Sequence, residues 1–544
     1  MSIGGDGDMV VKNRFLGFLI WQSVQSTAIF LLCKLLLFSP FTQRPLSPSL
    51  AGCVAFLAFQ LSLLLFSTSV SVVASPYPDR PASLSELALG LVRLLFVSGG
   101  QPLSLDIRRR AKITLSFVLF VTASALSGFL SVVCVGWNCD LSAGLQPWHR
   151  LEIIGFRGFA VGFFYGLHSL FKRRWVLEFP IIQRPPFFSF KMGLPSAIGR
   201  ALKLSGAAYL LSSALAVFLT KEFQGQVTMG KFIAEQIIFY IGIFTVFLCW
   251  ELSHHLHQVL HTKRFIFAPP KGSAAAETNP SEPLLAVLEE STPRSLLQHL
   301  AYLDLCMICE SNADTWRRAA FFEETGETYK RVVAVCLRPL EKLASKLDEG
   351  LESYSVDKSF QLSHQLQSPT DWQLDSRLLE TFYNFQLCAW CARIAASLTV
   401  HSHKEDRFGV AQLSGSNAAV ISTLMSCLLA VETFMGKKTN LQSPHHLMGP
   451  AGIKWAALST GRRDVTVSSM GKKRGNPQYS KAYSMADILR TSIYHIVSAF
   501  HDEMLNSAKA GLLEKDWIIS SKPLYGTHEI LLQKLRLFLD FRAS

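Results

Sequence analysis

Two clusters in this 544-residue sequence carry residue types that could do chemistry. The first is Glu251-Leu-Ser-His254-His-Leu-His257-Gln-Val-Leu-His261. Helical spacing puts His254, His257 and His261 on one face, with Glu251 one turn before them. Imidazoles at that spacing can ligate iron or zinc, and membrane di-iron oxygenases use such boxes. That chemistry needs several matched boxes, and His401, His403, His445 and His446 do not supply them. The second cluster is two Cys-x-x-Cys pairs, Cys306/Cys309 and Cys388/Cys391. Four thiolates could hold zinc. Both pairs sit in apolar helical runs with no glycine turn, so the expectation is buried free thiols. Of 11 cysteines, most fall in the C-terminal half, and Cys134 and Cys139 could pair beside a loop. The chain has no Walker loop, no dinucleotide fingerprint, no G-x-S-x-G and no H-E-x-x-H. No cofactor or metal is expected.

The elements behind these residues are apolar. Hydrophobic residues make up 49% and charged residues 17%, where soluble domains carry about 25% charge. Six stretches reach the roughly 20 residues a membrane helix needs. They are 15–38, 50–74, 113–136, 151–170, 201–220 and 232–250. A shorter run, 84–97, contains Glu86 and Arg93 and reads as an interfacial helix. The formal net charge is +13, with +11 of it in residues 1–250 and +2 in the rest. Lys and Arg are denser in the N-terminal tail, the second loop, the fourth loop and after the sixth span, and sparse in the first and third; the contrast is weakest at the fifth, which has Lys221 and, at its edge, Lys231. That alternation follows the positive-inside rule and puts both termini in the cytosol. The first span, preceded by Lys12 and Arg14 and lacking a small-residue cleavage site, reads as a signal anchor.

Inside the spans, Gly158, Gly162 and Gly166 recur every four residues, with Gly155 beside them. Such spacing lets two helices approach closely. Arg157 and Glu235 are intramembrane charges expected to pair, and Lys34 is expected to snorkel. No internal repeat relates the first three spans to the last three, as a transporter would show.

Beyond the spans, residues 265–290 read as a linker rich in Pro, Ser and Ala, and 291–544 as a mainly helical cytosolic domain. One apolar helical face, Val332 to Leu343, is expected to break at Pro339. Further helical runs are expected at 376–398, 418–434, 485–509 and 528–541. Residues 401–416 interrupt the pattern. Residues 436–480 hold eight Lys and Arg against Asp464 and read as a disordered basic loop able to meet anionic lipid or an acidic partner. The expected fold is all-α, a six-span membrane protein followed by that helical domain.

The segment after the linker narrows the reading. Residues 295–322 read SLLQHLAYLDLCMICESNADTWRRAAFF. Leu297, Leu300, Ala301, Asp304 and Leu305 match an L-x-x-L-A-x-x-D-L core, followed by Arg317, Arg318 and Phe321. This segment resembles the one that marks the Ndc-type transmembrane nucleoporins, the family named for the nuclear division cycle. The resemblance covers the topology of residues 1–264 and this motif. It implies a multi-pass protein of the nuclear pore membrane, a non-catalytic scaffold that anchors the nuclear pore complex and supports pore assembly. The partners it implies are the bilayer, amphipathic-helix inner-ring nucleoporins and an ALADIN-like WD-repeat nucleoporin. No direct nucleic-acid contact is expected. The competing reading is a polytopic enzyme of the endoplasmic reticulum, for example His-box and metal-dependent, or a transporter there.

Overall fold

The computed structural model describes residues 3–37, 50–83, 85–86, 88, 105–136, 147–180, 182–219, 229–269, 272–274, 278–360, 380–442 and 477–543. These residues form helices, joined by one isolated bridge between Ser75 and Val176. The chain divides into two units, Met1–Arg264 with Pro293–Leu297, and Phe265–Thr292 with Gln298–Ser544. Most of the short run 84–97 lies outside the described residues, as do 443–476 of the basic loop expected at 436–480; its two ends, 436–442 and 477–480, are helical and not loop.

The first unit holds α1 (Ile3–Leu32), α2 (Leu50–Val73), α3 (Leu105–Gly136), α4 (Pro147–Phe171), α5 (Pro186–Leu219) and α6 (Met229–His261). Their surfaces are turned out for a lipid solvent. Leu16, Ile20, Trp21, Leu57, Leu61 and Leu115 face outward and exposed. Phe59, Leu63, Phe66, Tyr165, Phe247 and Trp250 fill the interior. Phe66 stacks on Trp250 with ring centroids 4.8 Å apart. A bilayer leaves a helix no choice but to satisfy its backbone internally, so long uninterrupted helices are the economical solution.

Five helices in the described chain are long and apolar enough to cross a membrane: Met9–Leu35, Gly52–Val73, Ile107–Val135, Ile233–His261 and Ser416–Gly436. The first four coincide with the first, second, third and sixth expected spans. The fourth and fifth expected spans form helices, but α4 carries Arg157 and His168, and α5 carries Lys191, Arg200 and Lys203, which lower their apolarity. The fifth apolar helix belongs to the second unit. There 72% of its window is buried within the protein, so its apolarity serves a protein core.

Successive helices of the first unit run in opposite directions, which gathers their ends. Arg14, near the start of α1, donates to the carbonyls of Leu260, His261 and Lys263 at the end of α6, at 2.9, 2.9 and 2.7 Å. A cation there satisfies the last carbonyls of a helix and opposes its negative dipole end. At the same end, Ser75 after α2 bridges Val176 after α4. At the opposite end Lys34 donates to the Val135 carbonyl of α3 at 2.8 Å.

Small residues close the gap between α3 and α4. A Cβ at Gly128 would fall 2.5 Å from the Gly158 carbonyl oxygen, and one at Gly158 would fall 2.7 Å from that of Gly128. A Cβ at Gly162 would collide with the Ser124 carbonyl, while one at Gly166 would meet the Val121 Cα at 3.2 Å. On its other side α3 meets α2 through hydroxyls. Ser62 and Ser131 lie 2.5 Å apart, and Ser127 donates to the Ser62 carbonyl at 2.8 Å.

In the second unit α7 (Glu282–Glu290) and α8 (Leu296–Glu310, its first two residues grouped with the first unit) precede the long helices. Those are α9 (Glu327–Phe360), α10 (Phe385–Glu405), α11 (Ser416–Gln442) and α12 (Pro477–Ala499), with α13 (His501–Lys509) and α14 (His528–Ala543) closing the chain. The central helix is α11, packed against α9 and α12, with Leu424, Cys427, Leu428, Ala430 and Val431 fully buried.

Two sequence expectations need correction here. Residues 282–290, expected inside the linker, form α7 and bury Leu284, Leu285, Val287 and Leu288. Pro283 misleads as a loop signal, because it occupies the first helical turn, where a missing N–H costs nothing. Likewise α9 runs through Pro339 without ending. Proline deprives the carbonyl four residues earlier of its donor. That carbonyl is Val335, and the Tyr302 hydroxyl donates to it at 3.0 Å.

The glycine seam has a direct test. Gly162→Ala should destabilise the detergent-solubilised protein by about 1–3 kcal/mol, as overpacking a close contact does. Gly206→Ala, where no atom lies within 4 Å of the added Cβ, should leave the melting temperature unchanged or raise it. Equal melting of the two variants would refute the close approach.

Candidate functional site

The motif segment is the best-connected polar site of the second unit. Asp304 lies on α8, one helical turn beyond Leu300, and is fully buried. Its carboxylate accepts from the Phe267 backbone N–H at 3.0 Å and from both Arg317 Nη atoms, at 3.4 and 2.9 Å. Arg317 also donates to the Phe267 carbonyl at 2.9 Å. The pair thus grips both backbone polar groups of one residue, just after the chain leaves the first unit. A buried carboxylate and a buried guanidinium offset each other's desolvation only when paired this closely.

Arg318 performs the second half of the motif's work. It donates to the Glu405 carboxylate at 2.9 and 2.6 Å, and to the carbonyls of Cys309 and Ser311 at 3.4 and 3.2 Å. The carbonyls are the open C-terminal end of α8, and Glu405 ends α10, so one side chain caps one helix and ties it to another. Arg393 reinforces the tie by pairing with Glu310. Leu300, Ala301, Leu305 and Phe321 are fully buried around these bonds, and Leu297 is half-buried.

The first unit has its own buried carboxylate, Glu251 on α6. Arg174, just after α4, donates to both its oxygens, at 2.8 Å to Oε2 and more closely to Oε1. Arg200 of α5 donates to Oε2 at 2.9 Å, and the Tyr165 hydroxyl of α4 to Oε1 at 3.0 Å. Three elements converge on one anion.

A sequence profile described as nucleoporin protein Ndc1-Nup matches residues 10–372 and 369–506. The chain belongs to the Ndc1-Nup nucleoporin family. No curated protein matches it. In this nucleoporin the motif residues Leu300, Ala301, Asp304, Leu305, Arg317 and Phe321 lie in the interior of the domain.

The histidine face packs among aromatic rings. His254 packs against Phe66 and Tyr165, with ring centroids at 5.5 and 6.0 Å. His257 and His261 stack on each other at 3.9 Å beside Phe18. Among the described residues no group of three or more His, Cys, Asp or Glu is arranged to hold a metal ion. Cys306, Cys309, Cys388 and Cys391 are buried and free. Cys139 lies outside the described residues.

Arg157 and Glu235 do not pair. Arg157 Nη2 donates to Ser213 of α5 at 2.8 Å and to Gln236 of α6 at 3.3 Å, and its guanidinium lies 3.7 Å from the Phe239 ring centroid. The expectation missed by one residue. A helix turns about 100° per residue, so Gln236 faces Arg157 and its neighbour Glu235 does not.

Sequence reasoning passed over Arg14, Arg174, Arg200, Tyr302 and Glu405 as partners. For Glu251 a signal existed, a carboxylate at the edge of a span, but the sequence places it only beside the His face of a polar helix and names no cation for it. On α3, Ser124 and Gly128 sit four apart opposite the α4 glycines, a small-x-x-x-small signal in plain view.

Two tests follow from this site. Arg317→Ala leaves a buried charge unpaired and should cost about 3–5 kcal/mol. Tyr302→Phe orphans the Val335 carbonyl and should cost about 1–3 kcal/mol. Adding Pro339→Ala restores the intrahelical donor and should return most of the second loss in a double-mutant cycle. Additive losses would refute the substitution of one donor for the other.

Burial also sets thiol reactivity. It pushes the Cys388 thiol up to about 12 and raises Cys306, Cys309 and Cys391 too. Maleimide at pH 8 should therefore leave these four unlabelled in the folded protein and label all of them in denaturant. Fast native labelling of any one would show that the α8–α10 contact is open.

Proposed function

We propose that this nucleoporin is an integral anchor of the nuclear pore complex in the pore membrane, non-catalytic, with six spans and both termini on the cytosolic, pore-facing side. The observation that carries the proposal is the joining of charge and geometry at one end of the bundle. The start of α1 (Arg14) and the end of α6 meet there, and so do the residues that follow α2 and α4. Arg109, near the start of α3, pairs with Asp79 after α2 at 2.8 Å. Arg174 and Arg200 converge on Glu251 toward the same end. An even number of crossings brings both ends of the unit to one side, and the positive-inside rule makes that side cytosolic.

Family membership supports association with the pore. The partner classes that the sequence resemblance implies, amphipathic-helix inner-ring nucleoporins and an ALADIN-like WD-repeat nucleoporin, fit a helical domain on the same chain as a membrane unit. The tight, buried polar site of that domain supports a scaffold role, because its charged groups are committed to one another and to backbone.

A fluorescently tagged full-length chain should appear at the nuclear rim in punctate register with pore markers. Glycosylation acceptors inserted at residues 137–146 should be modified, and acceptors in the tail before Arg14 should not. Diffuse reticular signal would overturn the pore reading, and the reverse glycosylation pattern would overturn the orientation.

A further inference from the structure

The 34 residues of α5 span about 50 Å at roughly 1.5 Å per residue, against a hydrocarbon core of about 30 Å. Its surplus is the N-terminal part, Pro186–Gly199, which sequence alone assigns to a cytosolic loop. Two cations mark the depth of the bundle. Arg14 and Lys34 lie at opposite ends of the first span, twenty residues apart, which is about 30 Å of helix. Arg14 is level with Leu260 and His261 of α6 through its bonds to their carbonyls.

The surplus part of α5 lies at that same level. Phe190 stacks on His255 of α6 at 5.4 Å, and its carbonyl is 3.2 Å from His255 Nε2. His255 is less than two turns from His261. This part of α5 therefore reaches the edge set by Arg14 and does not project far beyond it. One stripe of it is apolar and open. Phe188 is 57% and Met192 64% exposed, one helical turn apart, and beyond Pro195 the apolar side chains of Ile198 and Leu202 are exposed as well. Leu210, 68% exposed, carries it down into the span. Arg184 and Lys191 flank the stripe and are exposed.

We propose that Pro186–Gly199 is a membrane-contacting element, with Phe188 and Met192 seated at the boundary of headgroups and acyl chains in the leaflet on Arg14's side. The occupant of the exposed stripe is lipid. Continuity with the lipid-facing surface of the span argues for it, and so does the flanking positive charge, which suits an anionic leaflet. Aromatic and long apolar side chains beside Lys and Arg are the composition that interfacial helices use. The proposal rests on the membrane reading of the first unit.

The test keeps the two readings apart. Nitroxide labels are placed singly at 188, 192, 210 and 515 in the full-length protein, with Cys53 and Cys139 replaced by Ser, reconstituted in bilayers containing phosphatidylserine. Collision with oxygen reports acyl chains, and collision with a water-soluble nickel chelate reports water. The labels at 188 and 192 should resemble that at 210, favouring oxygen, and differ from the exposed water reference at 515. If 210 favours oxygen while 188 and 192 favour nickel, the element is a cytosolic loop and the proposal fails. If 188 and 192 are shielded from both reagents, protein covers the stripe and the proposal also fails. If 210 itself favours nickel, the membrane reading fails and takes the proposal with it.

Discussion

A carboxylate denied water must find its counter-charge inside the chain, and each unit of this protein is arranged around one such carboxylate. Glu251 draws Arg174, Arg200 and a tyrosine hydroxyl from two helices and the turn between them. Asp304 draws Arg317 and a backbone N–H from the segment that enters the second unit. Neither pairing is a strong source of net stability, since desolvation offsets much of the attraction. What each supplies is uniqueness. A helix rotated or shifted by one residue would strand a charge, so alternative packings of the same apolar surfaces are penalised by several kcal/mol.

That penalty matters most where the hydrophobic effect cannot choose. In lipid an exposed leucine and a buried one are nearly equivalent, so apolar side chains alone do not fix which helices touch. The first unit compensates with shape and polarity. Glycines of α4 and small residues of α3 allow backbone contact that larger residues would forbid, serine hydroxyls join α3 to α2, and Glu251 and Arg14 fix the C-terminal part of α6. In the second unit, water supplies the drive, and α11 shows the difference. Its composition would suit a bilayer, yet neighbouring helices cover it. Hydropathy reports how much a helix avoids water, and its neighbours decide what replaces the water.

What could be read from sequence follows from this division. Periodicity and span length are properties of a segment, and the spans they predict form helices among the described residues. The α4 glycines were legible for the same reason, because their meaning lies in their spacing. Pairings between distant residues were not legible. Arg157 finds Gln236 where Glu235 was expected, and that choice depends on the rotation of two helices about their axes. Pro339 was read as a break because its local effect is to remove a donor. The replacement donor comes from Tyr302, far away in sequence, and only the packed domain brings it near. Pro283 failed in the opposite way, since a residue that marks loops also starts helices.

The motif segment acquires a physical meaning from these contacts. Its leucines and alanine are core, its aspartate and first arginine hold the backbone of Phe267, and its second arginine closes one helix end against another. None of these groups is left over to recognise a partner. Recognition in such a protein must then be carried by residues that the interior does not use: exposed side chains on the helices, and the lipid-facing stripes of the first unit. Those surfaces can change without loss of the buried network.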